Sequence, residues 1–399
     1  MISVLFANEG GTGRGHALAL RRVADALGPA FAKEAALYRD DLLPIIQPVC
    51  DAVFRGPGLS YDRTWRLSNG AVATSTFGEF LGDLGFRDVD FLSRNIAWWK
   101  DLFASRAYDL VVTEYAPCAL LAARASGIRC AVVGGGYGIP ADGLTEFPVF
   151  LPQHFERIYD ESEMVAAVNK AAVPLGLDPI GYLPQVFDCD AKLVTSLPLF
   201  DPYDGLRLEP LLSPGTDCPA AVGGSGEEVF VYLSNPDAVR PALIEALARI
   251  PLPVRAYLPW RSPAIADRLL AGGVTLIDQP APPDQFASRT RLFINAGQSD
   301  TMTFGFAAGL PSLAFPEHLE HTFQATRAQG KGLAQIAPDG PADALVQAIE
   351  LAYQDTQLAA RTQAVAPEIR AILSQDRRKA MQERLRPVLV DIVKQKGLA

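Results

Sequence analysis

Four stretches of this 399-residue chain combine residue types and spacings that chemistry could use. The first is EGGTGRGH (9–16), which follows the apolar run Ile2-Ser3-Val4-Leu5-Phe6-Ala7 and precedes a helical pattern over 17–27. Strand, glycine-opened loop, helix is an arrangement that brings bare backbone N–H groups to an anion at a helix N-terminus. Gly11 and Gly13 begin a G-x-G-x-x-G dinucleotide pattern, but its third glycine would fall on His16, which argues against a nicotinamide oxidoreductase. An imidazole, with an ordinary pKa of about 6.5, can exchange a proton near neutrality there. A histidine at a helix start also serves as a cap or packing residue. The second stretch, LVVTEYAP, sets Glu114 at the end of an apolar strand, where a plain surface charge is the bland alternative. The third, FINAGQSDT, places Gly297 at another strand–helix turn. Its helix N-terminus would offer about +0.5 of effective charge to an anion, although a glycine there also simply permits a tight turn. The fourth, PEHLEHTF, carries Glu320 and His321.

These residues need strands and helices to hold them. YDLVVTE (108–114), IRCAVVGGG (128–136) and AKLVTS (191–196) read as buried strands, with PCALLAARASG (117–127) a helix between the first two. Strands this continuously apolar belong to a parallel sheet covered on both faces. After the Pro- and Gly-rich stretch 201–227, a second α/β series follows. Strands are expected at 229–233, 253–258, 274–277, 291–295 and 312–315, and helices at 237–250, 262–272, 299–309, 319–330 and 341–354. MQERLRPVLVDIVKQKG closes the chain as a helix that Pro387 should kink or start.

Composition narrows the function classes. A hydrophobic content of 49% with 20% charged residues describes well-packed domains, and the length calls for two of them. A net charge of −9 argues against a nucleic-acid surface. No run approaches the length of an integral membrane segment, and no basic residue precedes the first apolar run as a signal peptide requires. The five cysteines show no C-x-x-C spacing and read as reduced thiols of a cytoplasmic protein, with no metal site.

The stretch FINAGQSDTMTFGFAAGLPSLAFPEHLEHTFQATRAQGKG (293–332) resembles the donor-binding motif of family 1 GT-B glycosyltransferases, with matches at Gly297, Ala308, Gly309, Leu310, Pro311, Pro316, Glu320, Ala325, Gly330 and Gly332. The opening loop is similar to that of the glycosyltransferase that makes the lipid-linked disaccharide of peptidoglycan, with one extra residue. The resemblance implies an α/β, GT-B architecture of two Rossmann-like parallel-sheet domains facing an interdomain cleft. The expected divisions are an acceptor-binding domain over 1–205, a linker over 206–227, a nucleotide-sugar-binding domain over 228–375, and a C-terminal helix over 376–399 returning to the first domain. It implies a metal-independent, inverting transfer of a sugar from a UDP or dTDP donor to a hydroxyl of a small-molecule or lipid-linked acceptor. No cofactor beyond that donor substrate, no nucleic-acid partner, and a monomer or homodimer are expected.

On this resemblance His16 is the base that takes the acceptor's proton, and Glu114 is the carboxylate that orients it, with Glu in place of the family's Asp. Donor contacts fall to Gly13, Gln279, Asn295, Gly297, Gln298, Ser299, Thr301, Glu320 and His321. Trp98 and Tyr137 are the acceptor-side candidates, taken from the aromatic stretch 61–103, which includes Trp65, and from GGGYGIP (134–140). Most of those aromatics read as core. The sequence departs from the family pattern at four places. Asn295 replaces the phosphate-binding His, Asp300 stands where Ser or Thr is usual, the ribose-holding acid falls on Thr303 or Phe304, and Glu320-His321 replaces Asp-Gln. The alternatives are a sugar-nucleotide epimerase on the same fold and a non-catalytic nucleotide-sugar-binding protein.

Overall fold

The computed structural model describes residues 1–11, 13–60, 74–151, 157–218, 223–224, 226–234 and 240–397. The chain divides into two compact units, Met1–Leu212 with Asp376–Ala399, and Ser213–Gln375.

The first unit is built on six parallel strands, β1 (Ile2–Asn8), β2 (Phe31–Leu37), β3 (Ala52–Arg55), β4 (Leu110–Thr113), β5 (Arg129–Gly134) and β6 (Ala191–Val194), in the order β3-β2-β1-β4-β5-β6. Successive side chains of a strand point to opposite faces, so apolar residues at both parities in β1 and β4 bury the sheet on both sides. On one face Val4 and Phe6 pack with Leu20, Val23 and Ala24 of the helix Gly15–Leu27. Met381, Leu385, Val388 and Ile392 of the C-terminal helix Arg377–Gln395 join the same core at helical spacing. Pro387 lies inside that helix on its exposed side and does not set its start, which Asp376 caps by accepting from Lys379 N.

The order of the strands positions the site. The chain runs outward from β1 through β2 to β3, then returns to place β4 on the other side of β1. Open α/β sheets bind ligands beyond the carboxyl ends of the strands at such a switch point. Ala7 and Thr113 are paired there, so the glycine loop and Glu114 leave the sheet side by side.

The second unit repeats the plan with β7 (Glu228–Tyr232), β8 (Val254–Tyr257), β9 (Thr275–Ile277), β10 (Thr290–Asn295), β11 (Ser312–Ala314) and β12 (Ala334–Ile336), in the order β12-β11-β10-β7-β8-β9. Its switch point lies between β7 and β10. Leu243 and Leu247 of the helix Pro241–Arg249, with Leu345 and Ile349 of the helix Ala342–Gln354, cover one face, and Phe230, Phe286 and Phe293 pack on the other. Within this unit three elements go beyond the sequence expectations: the helices Pro283–Arg289 and Thr356–Leu373, and β12. Pro367 lies inside Thr356–Leu373, but Asp355 caps its start by accepting from Gln357 N and Leu358 N, and Leu358, Ala366 and Ile369 bury one side. Among the described residues no helix is long and apolar enough to cross a membrane.

Candidate functional site

At the carboxyl end of β1 four consecutive residues fix the loop. Asn8 and Glu9 are wholly buried. The Glu9 carboxylate takes the N-terminus of the helix Pro117–Ala125, accepting from Cys118 N at 2.9 Å and Ala119 N at 3.0 Å, and it also accepts from the Trp99 indole. Burial pushes this carboxyl up to about 8, against the three donors that favour its charge. Gly10 packs against the Tyr115 ring, which an added Cβ would meet at 2.6 Å. Gly11 has φ +95°, and a Cβ there would meet His16 Nε2 at 2.1 Å, so the imidazole lies across the bare Cα. Gly13 and Gly15 are under no such demand: a Cβ at Gly13 would meet only Gly15 N, at 3.9 Å, and one at Gly15 nothing within 4 Å.

His16 is the second residue of the helix Gly15–Leu27, and its side chain is 29% exposed. Its Nδ1 lies 2.9 Å from each carboxylate oxygen of Glu114. A carboxylate only accepts, so Nδ1 carries the proton and the neutral imidazole has its lone pair on Nε2. Glu114 is 6% exposed; its backbone N–H donates to Ala7 O at 2.9 Å, and its Oε2 accepts from Asn8 Nδ2 at 3.1 Å. Tyr115, the next residue, holds the left-handed conformation at φ 48° and puts its ring 5.7 Å from the imidazole. Non-glycine residues rarely adopt that backbone, and those that do cluster at functional sites. Asn8, Glu9 and Tyr115 are the neighbours that sequence reasoning missed; the unusual polar pair closing an apolar strand was the available signal.

The two acceptor-side candidates differ. Trp98, on the helix Val89–Arg106, is 37% exposed. Tyr137 is 4% exposed, with its ring 5.0 Å from Phe77 and 5.5 Å from Phe150, so it belongs to a buried aromatic cluster. Phe77, Phe86 and Trp99 are buried as core residues, and Trp65 lies outside the described residues.

In the second unit, β10 ends at Asn295, whose Oδ1 accepts from Gly297 N at 2.8 Å while its Nδ2 donates to Ser312 Oγ at 3.2 Å. Asn295 thus shapes the turn with both ends of its amide. Gly297 has φ +90°, and a Cβ there would meet His321 O at 2.9 Å, so the turn presses directly on the helix Leu319–Gly330. Gln298 precedes the first residue of the helix Ser299–Ala307 and donates from Nε2 to Ser234 Oγ at 3.0 Å, linking the loops after β10 and β7 across the switch point. Ser299 and Thr301 lie in the first turn of that helix, half-buried, and Asp300 between them is exposed. Thr303 is buried and Phe304 half-buried, and neither side chain carries a carboxyl to hold a ribose. Glu320 is half-buried and accepts from Gln324 Nε2 at 3.1 Å. His321 is 7% exposed, with its ring centroid 3.8 Å from that of His318. Burial, and then the neighbouring His318, hold the His321 imidazole well below its ordinary pKa, in the neutral form. Gln279 stands on an exposed bend between β9 and the helix Pro283–Arg289. Among the described residues no three His, Cys, Asp or Glu side chains group to hold a metal ion.

No protein-family model matches the sequence, and no curated protein matches it. Solved structures do match. The glycosyltransferase VinC, in a crystal structure with dTDP, aligns over 99% of this chain and 100% of its own, at 17% identity and a TM-score of 0.64. The calicheamicin glycosyltransferase CalG4 aligns over 98% of both chains, at 16% identity and a TM-score of 0.67. The glycosyltransferase SnogD from Streptomyces nogalater aligns over 97% of this chain and 99% of its own, at 16% identity and a TM-score of 0.60. With its two six-stranded parallel sheets in the same strand order, the chain has the fold of the GT-B glycosyltransferases.

Proposed function

We propose that this protein is a glycosyltransferase that moves a sugar from a UDP- or dTDP-linked donor to a hydroxyl acceptor, with inversion and without a metal ion. The observation that carries this reading is the pairing of His16 Nδ1 with both oxygens of Glu114 at the first unit's switch point. An Nδ1–H held by a carboxylate makes Nε2 the basic nitrogen and stabilises the imidazolium that forms when it takes a proton. The acceptor hydroxyl passes its proton to Nε2 as its oxygen bonds to the anomeric carbon. The bond from that carbon to the diphosphate breaks, and the nucleoside diphosphate leaves. One displacement inverts the anomeric centre.

The second unit supplies the donor side. Its turn at Gly297 and the helix Ser299–Ala307 present backbone N–H groups and a positive dipole end to the departing diphosphate. That charge takes the part a metal would otherwise play. Glu320 reads the sugar hydroxyls in this account, and the matching structures of VinC and of the spinosyn rhamnosyltransferase SpnG, each solved with thymidine diphosphate, support a thymidine donor.

A second reading is favoured by Asn295, whose amide is engaged by Gly297 N and Ser312 Oγ and brings no charge to a phosphate. A protein that binds the nucleotide sugar without turning it over would show this. Incubating the protein with a panel of UDP- and dTDP-sugars and a mixed pool of hydroxyl acceptors, followed by mass spectrometry, separates the two. The transferase reading predicts a glycosylated product in step with nucleoside diphosphate release, lost in His16→Ala. Binding without any release from any donor would leave the non-catalytic reading.

A further inference from the structure

The geometry assigns to Asn8 the part of a positioning residue: its buried side-chain amide fixes the Glu114 carboxylate and thereby sets the basicity of His16. The assignment deepens the proposed function and rests on it for its catalytic meaning.

Asn8 is wholly buried at the last position of β1. Its Nδ2 donates to Gly10 O at 2.8 Å, Glu114 O at 2.9 Å and Glu114 Oε2 at 3.1 Å. An amide has two N–H bonds for these three acceptors, so the two Glu114 oxygens draw on a common donor group. The amide cannot be turned over, because its carbonyl would then face three acceptors. As it stands, Asn8 Oδ1 has no hydrogen-bond partner among the described residues. A strand end needs no such residue, and a buried acceptor without a partner is costly, which marks the N–H side as what the position is kept for.

The consequence reaches His16 through Glu114. Glu114 Oε2 accepts from Asn8 and lies 2.9 Å from His16 Nδ1, so the same oxygen is held from both sides. A donor on the carboxylate draws off part of its charge and fixes its plane, which limits how strongly it favours the imidazolium. Without that donor, Glu114 pairs more strongly with a protonated His16. Among the described residues, the other titratable groups around the pair include Tyr38, whose hydroxyl donates to Gly11 O, Tyr115 beside the imidazole, and Glu9 under the neighbouring helix. Changing Asn8 leaves all of them in place.

The test reads the imidazole itself. The chain has four histidines, His16, His154, His318 and His321, so the His16 ring signal is assigned by comparison with His16→Ala and followed by NMR from pH 5 to 9. Asn8→Leu keeps the branching at Cγ and removes the donors, at the cost of some added volume. It is expected to raise the His16 titration by roughly 0.5–1 pH unit, and to change nothing in a Glu114→Gln background. An unchanged titration in folded Asn8→Leu, or the same shift in the Glu114→Gln background, would overturn the assignment. A wild-type measurement serves if that variant does not fold. The Asn8 side-chain NH₂ signals should move with the His16 titration, and signals that stay fixed through it would equally overturn the assignment. Neither measurement uses nucleotide or acceptor, so a failure of the transferase reading would be seen separately.

Discussion

His16 and Glu114 are 98 residues apart in sequence, yet Nδ1 of the one lies 2.9 Å from both carboxylate oxygens of the other. If the pair works as a base and its orienting acid, His16→Ala should cut sugar transfer by about 10²–10⁴ while leaving nucleotide affinity nearly unchanged, because a base acts in the transition state. Glu114→Gln should lose less, since it orients the base without carrying the proton. Steady-state turnover and nucleotide titration on the same preparations check both. Loss of nucleotide affinity in His16→Ala would make the histidine a structural residue.

The imidazole depends on a missing side chain. A Cβ on Gly11 would meet His16 Nε2 at 2.1 Å, at a backbone φ of +95° that L-residues avoid. Gly11→Ala should therefore displace the ring and lower turnover by about 10²-fold, as an ångström's misplacement of a reacting group does. Gly15→Ala, where a Cβ meets nothing within 4 Å, should keep turnover within about threefold and add about 0.5–1 kcal/mol to helix stability. Turnover assays and thermal unfolding of the two variants side by side make the comparison.

Gly297 makes a parallel case in the second unit. A Cβ at this φ of +90° would meet His321 O at 2.9 Å, and Gly297 N already donates to Asn295 Oδ1, so a side chain here distorts the turn that leads into the helix Ser299–Ala307. Gly297→Val should abolish nucleoside diphosphate binding with the first unit's His16 NMR signal unaltered. Calorimetric titration of the variant with UDP and dTDP reads this directly, and wild-type affinity would remove Gly297 from the donor site.

Glu9 links the opening loop to stability. Its carboxyl is raised from 4.5 to about 8, chiefly by burial, so between those pH values the native protein holds a proton that the unfolded chain has released. The stability that goes with this is full below about pH 4.5 and is lost as pH rises to about 8, by up to several kcal/mol. Glu9→Gln keeps an acceptor for the donors and removes the titration. Its melting temperature should hold up better than the wild type's as pH rises from 5 to 8.5; parallel pH profiles would show Glu9 ionised throughout.

The sheets were legible because their signals are local, in continuous apolar runs and glycine loops before helices, whereas the His16–Glu114 pairing was implied only by the family resemblance of those loops. The support around the pair was not legible. Asn8 and Glu9 look in sequence like the polar exit of a strand, and only the return of β4 beside β1 sets one against Glu114 and the other under the helix Pro117–Ala125. Tyr137 reads as a cleft aromatic, but Phe77 and Phe150, distant in sequence, close over it. His321 occupies a sugar-reading position, yet it is buried against His318 with Glu320 the more open of the two. The three-residue β12 is too short to show a period, and Pro367 hides a helix that Asp355 starts.

The most direct test of the central claim is isothermal titration of the wild-type protein with UDP and with dTDP. The account predicts saturable binding of at least one of them, one molecule per chain, with a Kd below about 1 mM, equivalent to a binding free energy of about −4 kcal/mol or stronger. No binding of either nucleotide at several times that concentration would contradict it.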